Sequence, residues 1–312
     1  MTASPSTQIP PPTVDTSTMG TSTMDQVGSA PTTAGSGVVT AGRAGGMTLA
    51  PGMRLLGQFL RSVGWFLVGG ATVIAVWQLV ALLSDGLPTP AESAQSLGTL
   101  LKDPFYDNGN DKGVGVLLSL TLQRVFVGFG LGVLVGVPAG LLLGASRAAW
   151  LAFNPVVQVL RPVSPLAIFP IWAVVLMDNA LAAVFVIFGT ALWPIMIATA
   201  AGLAQIPIDQ RNVARVFRFG RLAYLRHVLV PNALPSIMTG LRLSMGVSWM
   251  VIVAVEMLAA TPGIGWFVWE SYNAGNLDHV ISAIVLIGLV GYLLDAVLLR
   301  LSRRFAIEGV QT

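Results

Sequence analysis

Three arginines near the middle of the chain have the spacing of a binding surface. Arg211, Arg215 and Arg218 recur at steps of four and three residues, so on a helix they share one side. Val216 and Phe217 fall on another side, which makes the segment basic and amphipathic. Residues of these types do not catalyse a reaction, but they can dock on a partner that has an apolar groove and an acidic rim.

The arginine segment lies between two apolar segments that are long enough to cross a membrane. Gly220 offers a place to break the helix, which predicts two short helices rather than one long one. We expect the segment to lie at the cytoplasmic surface, open to a partner. The alternative is a solvated basic loop that only fixes the topology of the chain.

Charged residues inside the apolar segments are a second group of candidates, because a charge at the centre of a bilayer costs at least ~2.5–3.5 kcal/mol. Arg124, Arg161 and Arg242 are fixed positive charges that could face a translocation path for a small anion. The alternative for each arginine is a structural pairing with an acid, or snorkelling to the surface. For Glu256 and Asp295, a structural pairing is preferred to a role in proton relay.

Four prolines interrupt the third apolar segment: Pro155, Pro162, Pro165 and Pro170. Proline removes a backbone donor and kinks a helix, and broken membrane helices are usually found beside a cavity. The pattern predicts that this segment, with Pro165 at its centre, lines a cavity or a gate. Kinked packing without a cavity is the alternative.

Several kinds of chemistry are excluded by the residues that the chain lacks. It has no cysteine and only two histidines, which lie far apart in the sequence, so we predict no metal site. No Gly-x-x-x-x-Gly-Lys-Ser/Thr sequence is present, so the chain has no loop of this kind to hold ATP. We therefore predict no catalytic residue and no cofactor in this chain.

The composition indicates a membrane protein. Hydrophobic residues make up 54% and charged residues 10% of the chain, whereas soluble domains carry roughly 25% charged residues. The net charge of +3 is small, and the arginines cluster beside apolar segments, so no nucleic-acid partner is expected.

The chain divides into an extension and a membrane domain. Residues 1–52, rich in Ser, Thr, Pro and Gly, are expected to form a disordered cytoplasmic extension, and residues 53–312 the membrane domain. We predict six spans, at about 63–83, 118–145, 154–177, 180–203, 236–260 and 281–301, with a cytoplasmic loop at 204–235. In the second span, five glycines recur at every fourth position and predict a face for close helix packing: Gly128, Gly132, Gly136, Gly140 and Gly144.

The charge bias sets the orientation of these spans. With both termini in the cytoplasm and six crossings, most arginines outside the spans fall inside the cell, while Lys102 and Lys112 fall outside among acids. This is the positive-inside pattern.

The loop resembles the cytoplasmic loop of binding-protein-dependent ABC importer permeases. The signature of that family is Glu-Ala-Ala, three residues, Gly, and a basic-apolar helix that ends in Pro. Asn212-Val213-Ala214 takes the Glu-Ala-Ala position, Arg218 takes the Gly position and Pro231 the closing Pro. The similarity covers roughly residues 87–304 and includes Glu256-Met-Leu258 and Gly263-Ile-Gly265-Trp266. The residues from Asn212 to Val216 are most similar to those of the nitrate branch of the nitrate/sulfonate/taurine/bicarbonate permeases.

The resemblance implies an all-α membrane protein with the type I ABC importer permease (MetI-like) fold, in the cell inner membrane. It implies separate ATPase subunits that bind ATP and Mg²⁺, an external or lipid-anchored binding protein, and a second permease copy in a homodimer. The loop residues that would meet the ATPase are Asn212, Val213, Ala214, Arg215, Val216, Phe217, Arg218, Gly220 and Pro231.

The implied cargo is a small anion, nitrate or nitrite first. Alkanesulfonate or taurine, or else bicarbonate or cyanate, is the alternative within the family. A secondary transporter is the alternative from another class, but no chain of acids threads the spans. A membrane-embedded enzyme would need a cluster of His, Asp or Cys at one membrane face, which the sequence does not supply.

Overall fold

The computed structural model of the protein describes residues 51–84, 86–109 and 111–308. The chain forms two compact units, Met1–Phe59 and Leu60–Thr312. Of the first unit only the start of one helix is described, and the predicted extension lies almost wholly outside the described residues. All that follows concerns the second unit.

The described residues are almost entirely helical. The helices are α1 (Pro51–Leu83), α2 (Pro90–Leu100), α3 (Val114–Ala145), α4 (Arg147–Leu160), α5 (Pro165–Leu176), α6 (Asn179–Ala204), α7 (Ile208–Val216), α8 (Arg221–Tyr224), α9 (Val230–Ala259), α10 (Ile264–Asn273) and α11 (Leu277–Glu308). A π-helical turn, Leu225–Leu229, joins α8 to α9, and two short antiparallel strands, β1 (Asp107–Asn108) and β2 (Asp111–Lys112), form a hairpin before α3.

Four stretches of the described chain are long and apolar enough to cross a membrane: α3, α6, α9 with the π turn before it, and α11 as far as Arg304. The third predicted span falls on α4 and α5, which are bent by 92° at a short break and make a fifth span if they count as one. The described apolar part of α1, Leu67–Leu83, is shorter.

Helix α3 packs on α6 through the predicted glycine face. A Cβ added to Gly128 would come within 2.7 Å of the Val184 carbonyl oxygen, and one added to Gly140 within 2.6 Å of the Met196 carbonyl oxygen. Glycine is therefore needed there for the two backbones to approach so closely. Gly130, which does not belong to the four-residue series, has open space around it.

The order of these contacts gives the helix directions. Gly128 meets Ile187 and Gly144 meets Leu203, so α3 and α6 run parallel. Because they are joined by α4 and α5, that pair must carry the chain back to the end from which α3 started. Helix α9 runs antiparallel to α6, since Gly202 lies against Ser236 and Gly240 against Ala198.

Two ends of the bundle follow from these directions. The hairpin end carries β1 and β2, the start of α6 and the end of α9; the arginine end carries the ends of α3 and α6 and residues 205–229. At the hairpin end, Lys112 Nζ donates to both carboxylate oxygens of Asp107 at 2.7 Å, and this hydrogen bonding lowers the pKa of Asp107. Described basic side chains cluster at the other end: Arg147, Arg218, Arg226, Arg300, Arg303 and Arg304.

The largest core cluster joins α3, α5, α6 and α9 near the hairpin end, where Val125, Ile187 and Ile252 have no exposed surface. Helix α11 is held to α9 by Trp249, whose indole N–H donates to the Ile287 carbonyl oxygen at 3.1 Å. Partly buried residues of α11, such as Ile287 and Val290, pack against this cluster, so all four long helices contribute to it.

We expect Gly128→Ala to lower the thermal unfolding midpoint of the detergent-solubilised protein, because the new methyl group collides with backbone and costs about 1–3 kcal/mol. The matched control is Gly130→Ala, which meets open space and should leave the midpoint unchanged or raise it. Equal effects of the two substitutions would contradict the packing described here.

Candidate functional site

The arginine segment forms an elbow between α6 and α9, made of α7, a turn at residues 217–220, α8 and the π turn. We call residues 205–229 the elbow. The predicted break between two short helices is present. The following helix begins at Val230, directly after the π turn and earlier than the predicted loop end at residue 235, and it has Pro231 in its first turn.

The turn of the elbow depends on Arg218 rather than on Gly220. Arg218 has φ of 49°, in the left-handed region, and Gly220 does not. The Phe219 N–H donates to the Ala214 carbonyl oxygen at 3.0 Å, and this six-to-one bond is the mark of a Schellman motif with Arg218 at C′. This position normally takes glycine, because a left-handed residue with a Cβ costs roughly 1–2 kcal/mol.

The elbow presents apolar side chains to its surroundings. The exposed side chains, which we call the apolar patch, are Ile208, Val213, Val216, Phe217 and Phe219. Phe217 is 69% exposed, and its ring lies 6.4 Å from that of Phe219. Ala214 is buried in a cluster with Leu203 and Ile206 and fixes α7 to the bundle. The patch therefore stands free on a segment that is anchored on its other side.

The remaining predicted elbow residues take several positions. Asn212 is exposed on α7. Pro231 lines a groove of about 410 Å³ between α7 and the start of α9, together with Val213 and Phe219. The side chains of Arg211, Arg215 and Arg221 lie outside the described residues.

A cavity of about 380 Å³ lies beside the break between α4 and α5. Arg161, which caps the end of α4, and Pro165, the first residue of α5, both line it. The rest of its wall comes mainly from α6 and includes the aromatic residues Phe185 and Trp193. The broken span therefore lies against a cavity, as the proline pattern predicts.

Arg124 and Glu256 form a buried ion pair at the hairpin end, 2.6 Å from Nη1 to Oε1. Glu256 has no exposed surface, and it also accepts from the Thr121 hydroxyl at 2.9 Å and from the Gly265 N–H at 3.1 Å. Arg124 donates in addition to the Pro262 carbonyl oxygen at 2.8 Å. The pair thus ties the loop before α10 to α3 and α9, which is the structural pairing considered for both residues.

Arg242 and Asp295 form a second pair, between α9 and α11. Two parallel bonds join them, at 2.5 Å from Nε and 2.7 Å from Nη2, and both side chains are nearly half exposed. A charged pair at this depth is costly against lipid, so its open side calls for water or protein. The structure does not bring Arg124, Arg161 and Arg242 together. Arg124 pairs with Glu256, Arg242 pairs with Asp295, and Arg161 lines the cavity.

Three features of these sites were not predicted from the sequence. Thr121 bridges Glu256 and the Ile264 N–H, but one threonine in an apolar helix gives no signal. Gly263 leaves the room that the Glu256 carboxylate needs, Gly265 lets its own backbone approach the Val253 carbonyl group, and the spacing of these two glycines was a usable signal. The tryptophans of the cavity come from two different helices, so only the fold brings them together.

Comparisons with known proteins agree on one class. The family described as "Binding-protein-dependent transport system inner membrane component" matches residues 132–307. The nitrate import permease protein NrtB of a Synechocystis species is 42% identical over 227 residues, which cover 72% of this chain and 82% of that protein. The bicarbonate transport system permease protein CmpB of Synechococcus elongatus is 41% identical over 236 residues, 73% of this chain and 84% of that protein.

A more distant relative and a solved structure extend the comparison. The taurine transport system permease protein TauC of Escherichia coli is 29% identical over 238 residues, 75% of this chain and 86% of that protein. A chain of the MetNI methionine ABC transporter, in inward facing conformations, superposes with a TM-score of 0.56 at 20% identity. The superposition covers 62% of this chain and 95% of that chain, and it shows the fold alone.

We expect Arg218→Gly to stabilise the turn of the elbow by about 0.5–1 kcal/mol, because glycine adopts the left-handed conformation without a clash, less its own loss of chain entropy. The measurement is native-state hydrogen exchange of the Phe219 amide, which should slow by about 2- to 5-fold. Gly220→Ala is the control and should leave that rate unchanged, since nothing lies within 4 Å of the added methyl group. Faster exchange in Arg218→Gly would contradict the assignment.

Proposed function

We propose a function from the premise that this chain belongs to the family of binding-protein-dependent transport system inner membrane components. It is the permease subunit of an ATP-driven ABC importer and carries a small anion, nitrate or nitrite first, across the inner membrane. The observation that carries the proposal is the identity of 42–44% with nitrate import permeases over about 72% of the chain. The chain is a multi-pass membrane protein and not itself an enzyme, since permeases of this class leave ATP hydrolysis to a separate subunit.

Nitrate is preferred to taurine for two reasons. The identity with taurine permease falls to 29%, and taurine carries an ammonium group for which the described wall of the cavity has no carboxylate. Bicarbonate permeases, at 41% identity, remain the second candidate.

We propose that the chain crosses the membrane six times, with both termini in the cytoplasm. The parallel course of α3 and α6 supports it, because it requires α4 and α5 to act as one crossing. With α1 as the first crossing, the arginine end lies in the cytoplasm, as the positive-inside rule favours.

The elbow is the point at which we propose that motion enters the chain. Partner ATPase subunits, which bind ATP and Mg²⁺, would take the apolar patch into a groove, and unpaired arginines would fix its orientation against acids at the rim. Arg218 makes no ion pair with any described residue, so its charge is available. The anchor at Ala214 would pass movement of α7 on to α6 and α9.

Two further partners complete the proposal. A periplasmic or lipid-anchored binding protein would deliver the anion to the hairpin end. A second copy of the chain would supply the other half of the path and a second elbow. The Arg242–Asp295 pair is nearly half exposed, and exposure of charges to lipid is costly. We therefore expect this side of the pair to be covered by the second copy or by water in the path.

We expect Phe217→Asp to abolish ATP-driven nitrate uptake while the protein still reaches the membrane, because a charge replaces the most prominent ring of the patch. The measurement is uptake of labelled nitrate by proteoliposomes that hold the permease with its ATPase and receive the binding protein. Copurification of the ATPase with the permease is followed in parallel.

The matched control is Phe217→Leu, which keeps an apolar side chain and should retain most of the uptake. Normal uptake by Phe217→Asp would show that the elbow does not couple ATP hydrolysis to transport. Uptake of bicarbonate in place of nitrate by the unaltered importer would overturn the proposed cargo but leave the importer class standing.

A further inference from the structure

Three side chains that line the cavity beside the break between α4 and α5 carry hydrogen-bond donors for which no described residue is the acceptor. Arg161 makes no ion pair with any acid of the described chain. The indole N–H groups of Trp172 and Trp193 make no hydrogen bond to any described residue, whereas those of Trp77 and Trp249 each have a carbonyl partner. A guanidinium and two indoles are donors only and cannot satisfy one another.

The acceptors at this cavity are few. Thr190 is the hydroxyl on its described wall, and it donates to the Val186 carbonyl oxygen at 2.8 Å. No carboxylate belongs to the described lining residues. These side chains favour a ligand that brings acceptors and a negative charge. The backbone adds one acceptor, the Thr190 carbonyl oxygen, which Pro194 leaves without a helical donor.

The wall is also largely apolar and is held in place. The Trp172 ring packs on Phe185 with centroids 4.9 Å apart, and Phe185 meets Phe188 edge-on at 6.3 Å. The volume of about 380 Å³ falls within the range of small-molecule sites, about 300–1,000 Å³. The rim of the cavity, which includes Arg161 and Leu243, is exposed, so an anion there gives up part of its water and regains one charge partner; a weakly hydrated anion is therefore favoured.

We propose that this cavity is a site for a planar monovalent oxyanion that only accepts hydrogen bonds, held by the Arg161 guanidinium and the indole N–H groups of Trp172 and Trp193. The planar fork of arginine matches two oxygens of such an anion. Nitrate and nitrite belong to this class; bicarbonate, which carries a donor, and taurine, which carries a cation, do not. The inference rests on the proposed function only in naming the anion as the transported one.

The first test is binding without transport. The purified permease with its ATPase, but without the binding protein, is melted in potassium nitrate and in potassium gluconate at equal ionic strength. We expect nitrate to raise the melting temperature of the unaltered complex and bicarbonate and taurine to leave it unchanged. The absence of a nitrate shift, or an equal shift with bicarbonate, would overturn the proposal, and neither result depends on uptake.

The second test removes single donors. Trp193→Phe and Trp172→Phe keep an aromatic side chain and delete the N–H, Arg161→Gln deletes the charge, and Arg161→Lys keeps it. We expect the nitrate shift to vanish in Arg161→Gln and to weaken in both Phe variants and in Arg161→Lys, which keeps the charge but loses the planar fork. Trp65→Phe, on the exposed face of α1, is the matched control and should keep the full shift.

The third test measures nitrate transport. In the complete importer we expect each deleted donor to lower the maximal rate of nitrate uptake by about 10-fold, the size expected for a lost hydrogen bond to a charge. The half-saturating nitrate concentration should stay unchanged if the binding protein sets it. Wild-type uptake rates in all three deletions would overturn the inference while leaving the proposed importer intact.

Discussion

The close parallel packing of α3 on α6 is the constraint on which the rest of the structure depends. Five glycines at every fourth position remove the side chains that would hold the two backbones apart, and carbonyl groups of α6 occupy the space. Two consecutive long helices can run parallel only if the chain between them returns across the bundle. Residues 146–178 make that return, and the proline at the head of α5 favours a return in two pieces rather than one straight helix. The cavity, with its donors that no described residue accepts from, lies where this return is broken.

Charge is distributed in two ways. Within the bundle, Glu256 and Asp295 are each matched by an arginine, so these charges stabilise the arrangement of α3, α9 and α11. Arg161 and Arg218 have no such acid among the described residues, and one lies at the cavity and the other at the tip of the elbow. The two buried or half-buried acids are thus neutralised inside the chain, whereas Arg161 and Arg218 are the charges that we propose for an outside ligand and an outside partner.

Features that depend on residues close together in the sequence could be predicted from the sequence alone. The glycine period predicted the packing face, the prolines predicted a broken span beside a cavity, and Gly220 predicted two short helices in the elbow. The left-handed residue could not be located in this way, because the Schellman bond that fixes Arg218 depends on where α7 ends, not on which nearby residue is glycine. The donors at the cavity come from α4, α5 and α6, and only the fold brings them to one wall. The pairing of Arg242 with Asp295 spans 53 residues and required the antiparallel contact of α9 with α11.

The central claim is that this chain moves its cargo only with energy supplied by a partner through the elbow. The most direct measurement is nitrate accumulation in sealed vesicles that contain the purified chain alone, with an imposed membrane potential and proton gradient but no nucleotide-hydrolysing subunit. We expect no accumulation above the external concentration, and ATP-dependent accumulation once the ATPase and the binding protein are added. Uphill transport by the chain alone would contradict it.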